Sequence, residues 1–117
     1  QIGIVLDVGH HAYRGGDPVR FLEKHRDRVG VIHLKSVDPE VARRVTENRV
    51  PWSEAVDQGV FVDPEHGAVD FAALLKVIDA TRFDGWAIVE QDMYPAPAEK
   101  PLPIARATAA YLRSLGY

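Results

Sequence analysis

The sequence predicts an α/β fold with parallel strands, and two patterns carry that expectation. Short, β-branched apolar runs alternate with amphipathic helical segments in the order strand, helix, strand, helix, strand, helix. Alternation of this kind implies parallel strands joined by right-handed crossovers, with strands buried on both faces. The second pattern lies where the runs stop, because each closes on a titratable or metal-competent group.

The first run is "IGIVL", residues 2–6. "GGDPVRFLEKH" then starts a helix, with Asp17 as N-cap and Pro18 at the first helical position. Phe21, Leu22 and His25 continue its stripe. "VGVIHLK", residues 29–35, is the second strand, and "GWAIVEQD" supplies the third over residues 86–90. Before the third strand, "VDFAALLKVIDA" has Asp70 as N-cap and places Phe71, Leu74, Leu75 and Ile78 on one helix face. The last helix spans residues 102–115 and stops at Gly116. Residues 36–69 form an unusually long connection, containing a helix from Asp38-Pro39 through Glu47 and a shorter one over 51–57. Connections of that length inside compact domains are usually functional. "YPAPAEKPLP", residues 94–103, reads as a stiff, extended link.

Composition bounds the partners. With 117 residues, 46% hydrophobic and 26% charged, the chain has the material for one domain and one core. A net charge of −3 argues against a nucleic-acid partner. No run approaches the roughly 20 apolar residues of a membrane span. The absence of cysteine excludes disulfides and thiolate ligands and fits a reducing, cytoplasmic setting.

Three strands leave two bare sheet edges. Either this is a small open α/β domain, or it is the C-terminal portion, about three βα units, of a (β/α)8 TIM barrel, which needs eight strands and about 250 residues. On the second reading residues 1–117 are a single partial barrel domain, a fragment of a longer chain cut at Gln1. Such a piece is expected to pair with the missing barrel half or to form a homo-oligomer.

In parallel α/β folds, ligands bind at the carboxyl ends of the strands. The first strand ends in Asp7, followed by His10 and His11. The second gives His33 and Lys35, which alternation points to the same side, and the third gives Glu90 and then Asp92. Two carboxylates and a neutral imidazole suit a divalent ion such as Mn, Mg, Co or Zn. An ion there would polarise a sugar carbonyl and stabilise the enediolate left when a base removes the adjacent proton. Each residue also has a bland role. Asp7 can cap a turn, His10 and His11 can be loop polar groups, His33 a bonded core imidazole, and Lys35 a counter-ion for Glu90. Glu90 is harder to dismiss, since an acid closing a buried run is costly unless paired, protonated or metal-bound. Asp92, His25 and His66 read as solvated or capping groups, and Gly9 as the residue that lets the backbone turn.

"LDVGHHAYRGGDPV", "VIHLKSVDPEV", "WSEAVDQGVF", "GAVDFAALL" and "FDGWAIVEQD" resemble, in that order, the C-terminal half of the sugar phosphate isomerase/epimerase family. These are xylose isomerase-like TIM barrels, and the similarity is greatest to the inosose dehydratase branch. The resemblance implies that Asp7, His33 and Glu90 bind metal, that Glu90 also serves as an acid/base carboxylate, and that His10 and Lys35 contact substrate. It implies a sugar or keto-inositol substrate and isomerisation, epimerisation or dehydration through one enediolate. The family pattern departs at Ser36, where relatives carry a carboxylate, at Asp38 and at Ala68. These departures bear on the dehydratase assignment more than on the metal site. The family's other glutamate, a metal ligand, lies upstream of this segment. Two other classes fit less well: a metal-dependent abasic-site endonuclease, which shares the barrel, and a non-catalytic fragment or assembly module.

Overall fold

Backbone polar groups of an apolar run must be satisfied by pairing, and the three predicted runs pair with one another. In the computed structural model, which describes residues 2–117, they form one sheet of β1 (Ile4–Asp7), β2 (Val29–Leu34) and β5 (Trp86–Val89). Its order is β1-β2-β5 with both pairings parallel. The strands run one or two residues off the predicted bounds.

Helix starts follow their aspartates. α1 (Val8–Tyr13) begins directly at the end of β1, with Asp7 Oδ1 accepting from the His10 N–H. Asp17 caps α2 (Pro18–His25), Asp38 caps α3 (Pro39–Glu47) and Asp70 caps α5 (Phe71–Thr81), each accepting a first-turn N–H. α4 (Trp52–Asp57) follows Pro51. α6 (Pro101–Ser114) starts inside the segment expected to be extended, because prolines are tolerated in a first helical turn. It ends before Gly116, which has φ 101°.

The long connection is a subdomain of its own. β3 (Ser36–Val37) pairs antiparallel with β4 (Phe61–Val62). Ser36 is fully buried, and its Oγ accepts from the Val69 N–H at 3.0 Å. Val37, Val45, Ala55, Val60 and Phe61 make a small core beneath it.

The pairing register divides the main sheet. Leu6, Ile32 and Leu34 face α2 and α5 and join Leu22, Phe71 and Leu74 in the main core. The opposite face carries Val5 beside Val31 beside Trp86, then Asp7 beside His33 beside Ile88. That face is uncovered among the described residues, with Val5 60%, Trp86 76% and Ile88 46% exposed. Burial on both faces, expected from the apolar runs, is therefore met on one face only, because three strands do not close around the other.

Candidate metal centre

Asp7 and His33 stand directly opposite each other in the sheet, so two of the predicted ligands meet through register alone. The Glu90 N–H donates to the Leu34 carbonyl and extends the β5 ladder past its last strand residue. That bond brings the Glu90 side chain back over His33, whose Nδ1 lies 2.7 Å from Glu90 Oε2. Asp7 Oδ2 is 3.5 Å from the same nitrogen. The three side chains offer ligand atoms within 4.8 Å of one another, all half-buried. Two donors each roughly 2.0–2.6 Å from a shared ion are separated on that scale. The residues fit a divalent cation by donor chemistry and by spacing.

Lys35 is the deepest charged residue, 1% exposed. Its Nζ lies 3.0 Å from Asp7 Oδ2, 3.1 Å from Glu90 Oε2 and 2.8 Å from Asp92 Oδ2. An ammonium has three donors, so three carboxylates occupy it. Burial works to lower its pKa, but hydrogen bonds to Asp92, Asp7 and Glu90 outweigh that effect and hold it above the usual lysine value. Desolvating this charge without those partners would cost several kcal/mol, on the order of a buried ion left unpaired. Lys35 thus does pair with Glu90, and with two further acids beside it.

His10 points its Nε2 toward the same group, 3.2 Å from Asp92 and 3.6 Å from Asp7. Trp52 stacks on its ring at 4.9 Å and 25°, and Phe61 tilts against it at 4.9 Å and 47°. Asp92 was read from the sequence as a solvated or capping group; it instead joins Lys35 to His10. Alternation held the signal, since Asp92 shares the side of Glu90 two residues earlier. Asp7 combines both of its readings, with Oδ1 capping α1 and Oδ2 in the cluster. Gly9 differs from its reading as a turn residue. It lies inside α1, where a Cβ would come 2.5 Å from Lys35 Cγ. His11 packs against Phe21 on the far side of α1 and stays outside the site, and His66 pairs with Asp63, as a local cap should.

The profile described as xylose isomerase-like TIM barrel matches residues 1–115. The inosose dehydratase of Geobacillus thermodenitrificans is 35% identical over 113 residues, 97% of this chain and 38% of that protein. The rhizopine catabolism protein MocC of Rhizobium meliloti is 36% identical over 106 residues, 91% of this chain and 32% of that one. Among solved structures, the probable 3-DHS dehydratase AsbF from Bacillus anthracis superposes with a TM-score of 0.69 at 22% identity, covering 95% of this chain and 38% of that one. The 3-keto-D-glucoside 4-epimerase YcjR from E. coli superposes at 0.60 with 20% identity, covering 97% and 34%. The chain therefore spans roughly a third of the length of the relatives it matches. With a family profile covering nearly its whole length, and parallel strands in the sheet to match, this chain belongs to the xylose isomerase-like TIM barrel family.

Proposed function

We propose that these residues form one side of a metal-dependent active site for proton abstraction next to a carbonyl, in a sugar isomerase, epimerase or dehydratase. Residues 1–117 are then the C-terminal βα units of a larger barrel domain. The observation that carries this reading is the convergence of Asp7, His33 and Glu90 from three adjacent strand ends.

A divalent ion held by those three would polarise the substrate carbonyl and an adjacent hydroxyl. Glu90 is the acid/base on this side, since its carboxylate is half-exposed at the mouth of the site and can reach a bound molecule. Lys35 fixes Asp7, Glu90 and Asp92 in one geometry and offsets part of their charge. With its donors already engaged, Lys35 acts on substrate through the oxygens it holds. His10, part-exposed with its Nε2 beside Asp92 and Asp7, is the imidazole on this side that would meet a substrate hydroxyl. A second carboxylate, contributed by a segment beyond these residues, completes the proton transfer in the manner the family resemblance implies. Whether the product is isomerised, epimerised or dehydrated depends on substrate pose. The names of the relatives favour 2-keto-myo-inositol and its dehydration as the first activity to assay.

The test uses a full-length barrel carrying this segment. Glu90→Gln should lower turnover of 2-keto-myo-inositol by about 10²–10⁴-fold, the range for loss of a general acid or base. Chelation should abolish wild-type turnover and Mn²⁺ should restore it. Near-normal turnover by the Gln variant, or activity indifferent to chelation, would overturn the proposal.

A further inference from the structure

We infer that the segment between β2 and α5 orients His10, with Trp52 as the positioning residue. The inference rests on the metal-enzyme reading above and adds a role for the long connection that reading leaves unused. The His10 imidazole stacks on the indole of Trp52, 4.9 Å away at 25°, and meets the ring of Phe61, 4.9 Å away at 47°, while Trp52 and Phe61 touch each other at 5.2 Å, so the three rings form a triangle. Tyr13 adjoins this group, edge-on to Trp52 at 5.5 Å and 5.9 Å from Phe61. Trp52 opens α4 and Phe61 opens β4, so both rings set against His10 come from the connection.

The geometry leaves His10 few orientations. Asp7 Oδ1 fixes its backbone N–H, and the two rings fix the imidazole plane. Nε2 is thereby held toward Asp92 and Asp7. A side chain ordered before substrate arrives loses no rotamer freedom on binding and sits within tolerance for a directed hydrogen bond. Phe61 also lies under Lys35, whose Nζ is 5.5 Å from its ring centroid, so one aromatic ring touches both His10 and Lys35.

Trp52 meets the small core beneath the connection through Phe61 and stays 43% exposed. Of its aromatic neighbours His10, Tyr13 and Phe61, His10 is the one stacked on its face, and that ring belongs to the site.

In a full-length barrel, Trp52→Leu should lower kcat/KM for 2-keto-myo-inositol at least roughly tenfold, while Mn²⁺ affinity stays within about twofold. The His10 Hε1 resonance, identified by its loss in His10→Asn, should shift because the indole ring current is gone. Trp52→Phe keeps a stacking face and should recover most of the rate. A Leu variant with wild-type kcat/KM, an unmoved His10 resonance, Mn²⁺ affinity falling with the rate, or equal losses in Leu and Phe would each overturn the positioning role of Trp52. If the wild-type protein neither binds Mn²⁺ nor turns over, the metal-enzyme reading fails, and the resonance shift alone then decides that role.

Discussion

A methyl group at position 9 would sit 2.5 Å from Lys35 Cγ and 3.1 Å from the Lys35 carbonyl oxygen. Neither atom can retreat cheaply, since one belongs to a fully buried side chain and the other to the β2 backbone exit. Gly9→Ala should therefore destabilise the protein by roughly 1–3 kcal/mol, the range for overpacking, despite alanine's intrinsic gain of about 1 kcal/mol in a helix. Urea denaturation measures this, and an unchanged midpoint would show that Lys35 yields without cost. The sequence offered Gly9 only as a flexible joint, because a close approach to a residue 26 positions later is not written locally. Asp7, His33 and Glu90 were readable because each ends an apolar run, a local signal. Lys35 was readable by parity but not by depth. Its three carboxylate partners converge from two other strands, and that count depends on register.

The same division holds among elements. Asp17-Pro18, Asp38-Pro39 and Asp70 announce α2, α3 and α5 within a residue, because an N-cap acts over one turn. The β3–β4 pair is two residues long on each side and has no such signature; it depends on Ser36 meeting Val69, 33 residues away. α6 shows how elements are tied without a cap. At its C-terminal end the Tyr117 hydroxyl donates to the Leu75 carbonyl of α5 at 3.0 Å. Nearly half of Tyr117 stays exposed, yet its oxygen end is tucked in. Burial there, aided by the Asp79 carboxylate, raises the phenol to about 12. A phenol is neutral when protonated, so the fold favours the protonated form. Its contribution is complete below the unfolded value of 10.0 and is lost as pH rises from there through about 12. Urea midpoints should therefore fall more steeply between pH 9 and pH 11.5 in wild type than in Tyr117→Phe, to the extent of this one group. Parallel pH profiles for the two proteins would remove Tyr117 from the α5–α6 tie.

At the scale of the molecule, the uncovered sheet face has two layers. Val5, Val31 and Trp86 form an apolar row, and Asp7, His33 and Glu90 lie above it toward the carboxyl ends. A barrel interior is filled by such layers, with chemistry at the top. Among the described residues the apolar row is open, and β1 and β5 each present an unpaired edge. Parallel sheets occur almost only with both faces covered, and bare edges template further pairing. The chain spans 38% of a relative that it matches along 97% of its own length. Produced alone, these 117 residues should self-associate with rising concentration in sedimentation, through the face carrying Val5, Trp86 and Ile88. Trp86→Lys with Ile88→Lys should shift the population toward monomer, because a desolvated lysine opposes contact at that face. Concentration-independent monomer in the unsubstituted chain would mean that one covered face suffices, and that the three-stranded unit is a domain in its own right.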